Sequence, residues 1–159
     1  HRRESIVEAA DGSIVSALIS GRSLKPLAGD EVAFSVEADG TAVIREIAPR
    51  SSVLERIDSR GRAEGVAANV TLIAVVVAPR PAPDWQLVDR YLIAAELLGI
   101  RAGIIRNKSD LADDDTDRRT RSYRDIGYDV AFTSTRPDPD ADALSAMFAS
   151  TGAFWSKIR

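Results

Sequence analysis

Short runs of alternating apolar and polar residues fill the first third of the chain, and longer, almost wholly apolar runs separated by helical-period segments fill the rest. In the first third, residues 5–9, 13–19, 31–36 and 41–47 are rich in β-branched side chains. Asp11-Gly12, Gly21, Gly29-Asp30 and Asp39-Gly40 punctuate them, which predicts four short strands joined by turns. That spacing predicts an all-β domain over residues 1–58. A five-stranded Greek-key barrel of the OB type fits it, with residues 53–57 as a last, weaker strand, and an SH3-like barrel fits it as well. Residues 59–67 are polar, glycine-rich and without period, and are expected to be a linker.

From residue 68 the period changes. Val70-Thr71-Leu72-Ile73-Ala74-Val75-Val76-Val77 reads as a strand buried on both faces. After a proline-rich loop, Asp84 is placed to cap a helix in which Leu87, Val88, Tyr91, Leu92, Ala95 and Leu98 recur at helical spacing, and Gly99 ends it. A second apolar run covers residues 100–105. The segment from Asp113 to Arg124 is acidic at its start and basic toward its end, which suits a helix dipole and a solvated face. Gly127 closes it, residues 128–132 read as a third strand, and a last helix is expected around residues 143–148. Strands alternating with helices predict a parallel sheet, so residues 68–159 are expected to form a partial α/β three-layer domain.

The second apolar run ends in Asn107-Lys108-Ser109-Asp110, and that tetrad carries chemistry. A carboxylate at Asp110 can accept from both N1–H and the exocyclic amine of guanine, an arrangement that adenine lacks. The Asn107 amide can tie the loop to neighbouring backbone and reach the N7/O6 edge, while the apolar stem of Lys108 can lie over the purine face. Position matters equally, because ligands of open α/β sheets sit beyond the carboxyl ends of the strands. The competing local reading is that Asn107 and Asp110 only cap the next helix.

Composition removes several other classes. The chain has 159 residues, 45% hydrophobic and 28% charged, enough for two small cores. With no cysteine and a single histidine, His1, a disulfide framework, a thiolate zinc site and a histidine-based catalytic triad are excluded. His1 is expected to be an expression remnant or a solvated end. A net charge of −3 gives no general attraction for nucleic acid. The apolar runs are of strand length, and the first residues lack a secretory layout, so neither a membrane span nor export is indicated and cytoplasm is the default.

Several blocks together resemble a known family. They are Leu27-Ala28-Gly29-Asp30-Glu31-Val32, Pro49-Arg50-Ser51-Ser52-Val53-Leu54-Glu55-Arg56, Ala67-Ala68-Asn69-Val70, the helix segment from Leu87 to Glu96, and Asn107-Lys108-Ser109-Asp110-Leu111. In this order they resemble the ribosome small-subunit-dependent GTPase A family, circularly permuted GTPases of the RsgA/YjeQ type. The resemblance implies an OB barrel that docks on the small ribosomal subunit and its rRNA. A P-loop GTPase-like, circularly permuted domain follows, in which the base-reading motifs precede the phosphate-binding ones. It implies GTP/GDP with magnesium, and it assigns guanine reading to Asn107, Lys108 and Asp110. Thr133-Ser134-Thr135 falls at the second base loop. Ser134 would turn a backbone amide to the guanine O6, and Thr135 stands where many relatives carry lysine. Gly-x-x-x-x-Gly-Lys-Ser/Thr occurs nowhere in these 159 residues, and the family's zinc-binding region has no counterpart in them. The expectation is therefore a docking barrel plus the guanine-specificity half of a GTPase, without catalytic residues and inactive alone.

A second reading is a non-catalytic RNA- or ribosome-binding module with Arg22, Lys25, Arg45 and Arg50 as a modest basic face. Phe34 is the sole aromatic residue in the first 60 and reads as core. A third is an assembly module whose tetrad is vestigial. Trp85 reads as partial core, and Trp155 beside Phe154 would patch an exposed edge and favour self-association.

Overall fold

The computed structural model describes residues 4–21, 23–134 and 141–149, and the chain divides after Val70 into two compact units. In the first unit, β1 (Glu4–Glu8), β2 (Ile14–Ile19), β3 (Val32–Val36) and β4 (Ala42–Ile47) form one mixed sheet in the order β1-β2-β4-β3. The β2–β4 pair is parallel and the other two pairs are antiparallel. Val7, Ala17, Ala42 and Ile44 form its core, with Phe34 packed against them.

Three hairpins of this unit close alike. The N–H groups of Ala9, Glu37 and Asp58 donate to the carbonyls of Ser13, Thr41 and Arg62 at 2.9, 2.8 and 2.9 Å. Each three-residue loop ends in a glycine with positive φ, namely Gly12, Gly40 and Gly61. That left-handed residue lets the turn match the twist of the strands.

The third hairpin corrects two expectations. Most of the stretch read as a linker forms β6 (Ala63–Ala68), which pairs antiparallel with β5 (Val53–Ile57) as a separate two-stranded sheet. Residues 53–57 therefore do not complete the first sheet, and no closed barrel forms among the described residues. A partner reached through a three-residue loop costs far less chain entropy than one reached across the domain.

Three of the blocks that carried the family resemblance meet in this unit. Asp30 accepts from Arg50 Nε and Nη2 at 2.7 and 2.8 Å and from the Leu27 N–H at 2.7 Å, with its side chain 2% exposed. Asn69 Nδ2 donates to the Gly29 carbonyl at 2.9 Å, and its Oδ1 accepts from the Ser51 N–H at 2.8 Å. Gly29 is required there: a Cβ would lie 2.2 Å from the Ala68 carbonyl oxygen.

The second unit is a parallel sheet in sequential order, β7 (Leu72–Val77), β8 (Arg101–Arg106) and β9 (Asp129–Phe132). Three helices cover it, α1 (Trp85–Leu98), α2 (Asp114–Asp125) and α3 (Ala141–Ala149). Successive strand residues point to opposite faces, so adjacent Ile104 and Ile105 enter different cores. Val77, Ile104 and Val130 pack with Val88 and Leu92 of α1 and Tyr123 of α2, whereas Ile105 and Ala131 pack with Met147 of α3. Trp85 lies at the rim of the first core, 6.0 Å from the Tyr123 ring. The helix limits follow local rules. Asp84 accepts from the Leu87 N–H at the start of α1, Gly99 adopts φ 65° at its end, and Asp113 accepts from the Thr116 N–H to start α2.

Burial pushes the Asp30 carboxyl upward, but hydrogen bonds from Arg50 and Leu27 together with the Arg50 charge outweigh it and hold it below 3.8. A depressed carboxyl contributes stability that is present above its unfolded pKa and lost as pH falls through the folded one. Asp30→Asn should therefore lose about 1–3 kcal/mol at pH 7 in urea unfolding. The gap from the wild type should narrow as the pH is taken below 3.8; a gap that stays constant would contradict the role of the carboxylate charge.

Candidate functional site

Three loops leave the carboxyl edge of the parallel sheet, and side chains and backbone of the Asn107-Lys108-Ser109-Asp110 turn tie them together. The Asn107 N–H donates to the Val77 carbonyl at 2.8 Å and the Ser109 N–H to the Thr133 carbonyl at 2.9 Å. In return, the Thr133 N–H donates to the Arg106 carbonyl at 2.8 Å. Lys108 Nζ reaches the Arg80 carbonyl in the loop after β7, also at 2.8 Å. Each strand end thus fixes its neighbour.

Within the turn, Asn107 Oδ1 accepts from the Lys108 N–H at 2.8 Å and from the Thr133 hydroxyl at 3.3 Å. Lys108 adopts φ 58°, one of two non-glycine residues with positive φ among those described. That conformation costs roughly 1–2 kcal/mol and persists where surrounding bonds over-determine it. Asp110 is exposed, and the Ser134 hydroxyl donates to its Oδ1 at 2.8 Å. Asn107, Lys108, Asp110 and Ser134 are thus assembled on one rim. Thr135 lies outside the described residues.

The sequence reading missed Arg106, the last residue of β8. It is 0% exposed, yet its guanidinium is fully engaged. Nε donates to Asp117 Oδ1 at 2.8 Å, Nη1 to the carbonyls of Asn107 (3.1 Å) and Lys108, and Nη2 to the Leu111 carbonyl at 2.8 Å. Asp117 consequently belongs to this cluster and not to a solvated helix face. The available signal was a cation closing an apolar run directly before the tetrad, with a carboxylate in the first turn of the following helix. A groove of about 460 Å³ borders the sheet along β7, lined by residues such as Val75, Pro81 and Tyr91; none of 107–110 lines it.

The proposed basic face of the first unit is largely spent on ion pairs. Arg50 is bound by Asp30, and Arg45 pairs with Glu37 and donates to Ser35 Oγ at 2.9 Å. Lys25 is exposed, and Arg22 lies outside the described residues.

A sequence model of the RsgA GTPase family matches residues 47–154. The chain belongs to the RsgA GTPase family. It is 47% identical over 121 residues to a small ribosomal subunit biogenesis GTPase RsgA of Chromohalobacter salexigens, covering 74% of this chain and 36% of that protein. It is 41% identical over 126 residues to the protein of the same name from Pseudomonas aeruginosa, covering 77% and 37%. Two solved structures are similar. YjeQ from Thermotoga maritima gives a TM-score of 0.62 at 26% identity, covering 82% of this chain and 48% of that one. YloQ, described as a circularly permuted GTPase, gives 0.58 at 27% identity, covering 92% and 51%. The chain therefore spans little more than a third of the length of the curated RsgA proteins it matches.

Asn107→Ala strips the Lys108 N–H and the Thr133 hydroxyl of their shared acceptor. It should lower stability by about 1–2 kcal/mol in urea unfolding. An unchanged midpoint would show that water replaces both bonds.

Proposed function

We propose that residues 107–110 form the guanine-reading part of a GTP/GDP site, in a factor acting in small ribosomal subunit biogenesis. The carrying observation is the exposed Asp110 carboxylate beside Ser134, on a rim where three strand ends converge. A carboxylate there can take both N1–H and the exocyclic amine of guanine. Asn107 spends Oδ1 on the loop, which leaves its amide donors for the N7/O6 edge. Lys108 is tethered at Nζ, so its methylenes can flank the purine face. The Ser134 backbone amide is assigned to the guanine O6, and Thr135, outside the described residues, is a further guanine-binding candidate from the sequence.

Membership of the RsgA family supports the guanine nucleotide and the ribosomal partner. Magnesium would be held with the phosphates. Among the described residues no three His, Cys, Asp or Glu side chains gather to hold a metal ion. The first unit is proposed as the docking element. Its order β1-β2-β4-β3, with a parallel central pair, is compatible with four strands of an OB-type Greek key. Its contacts with rRNA would rest on local cations such as Lys25, because Arg45 and Arg50 are already neutralised. No helix among the described residues is long and apolar enough to cross a membrane.

With no phosphate-loop sequence in these 159 residues, binding through the base alone should be weak and independent of magnesium. The test is an NMR titration with GMP at millimolar concentration. Asp110→Asn replaces an acceptor by an amide donor, which suits the C2 carbonyl of xanthine. It should weaken GMP by about tenfold or more and improve XMP. Unchanged GMP binding in the folded variant would overturn the assignment.

A further inference from the structure

We infer that Arg106 is a positioning residue that holds the guanine-reading loop in its binding geometry before any nucleotide arrives. The inference rests on the guanine reading above and adds a residue that does not itself touch the base. Its basis is where the guanidinium spends its donors. All four acceptors lie between residues 107 and 117, and two of them are the carbonyls on either side of the Lys108 Cα.

Those consecutive carbonyls converge on one nitrogen, Nη1, and Lys108 between them has φ 58°. Two peptide dipoles aimed at one point repel each other unless a cation sits there, and a lysine side chain does not choose the left-handed region unaided. Arg106 supplies that cation. Its position is set in turn by the apolar run of β8 behind it and by Asp117 on α2 beside it. Bonds from Nη1 to Lys108 and from Nη2 to Leu111 bracket Ser109 and Asp110 on the chain, so the same contacts fix the span that carries the Asp110 carboxylate. A point-like ammonium at this site cannot reach all four acceptors in the plane of a fork.

The test uses the 159-residue chain with Arg106→Lys, which keeps the buried charge, and Arg118→Lys as a control at an exposed ion pair of α2 outside the cluster. Native-state hydrogen exchange reads the loop directly through the Ser109 and Leu111 amides, which donate to Thr133 and Lys108. In Arg106→Lys their exchange should rise by about tenfold beyond any change at Ile104 and Ile105, while Arg118→Lys shifts them by less than about threefold. GMP binding in Arg106→Lys should fall by about tenfold, with AMP binding unaltered. Exchange that rises equally across β8 and the loop, or not at all, would overturn the inference and leave Arg106 a structural ion pair. So would wild-type GMP affinity in the folded Arg106→Lys chain, provided Asp110→Asn does weaken GMP. If Asp110→Asn leaves GMP binding intact, the guanine reading fails by itself, and the exchange pattern alone decides the role of Arg106.

Discussion

A guanidinium buried at the end of an apolar strand has to find acceptors or the chain does not fold around it, and in this protein that demand shapes the candidate site. Stranding a buried cation costs several kcal/mol. Arg106 meets the demand with three carbonyls of the turn that follows it and one carboxylate of the next helix. Its requirement for partners and the turn's conformation are therefore one constraint seen from two sides. The tetrad is held in a conformation it would not adopt as a free peptide, and α2 is anchored to the same point through Asp117.

The parallel sheet makes that constraint useful. Three strands in sequential order bring three loops to one edge, and the bonds from Asn107 to Val77, Lys108 to Arg80 and Ser109 to Thr133 join each loop to the next. The Asp110 carboxylate projects from a rim that is braced from both sides while remaining exposed itself. Preorganised donors and acceptors on rigid elements lose little freedom when a ligand binds.

Much of the α/β half was legible in the chain because its rules are local. Asp84 and Gly99 mark the limits of α1, and Asp113 starts α2, each through a bond spanning a few residues. The β half was read less well. Residues 59–67 lack any hydrophobic period, yet Asp58 and Gly61 repeat the closure seen at Ala9 to Gly12 and at Glu37 to Gly40. Turn chemistry was the better guide there. The partners of Asp30, Arg50 and Asn69 lie up to 40 residues apart, and no periodicity records such pairs. Arg106 was overlooked for a related reason: a charged residue at a strand end is normally solvated, and only the packed structure shows that this one is covered.

The central claim is that the Asp110 carboxylate distinguishes purines by accepting from two adjacent donors. Inosine monophosphate keeps N1–H and lacks the exocyclic amine, while adenosine monophosphate lacks both donors in that arrangement. Affinities measured in parallel by NMR titration should fall in the order GMP, IMP, AMP, with IMP between the other two. Equal affinities for GMP and IMP, or AMP binding as well as either, would contradict it.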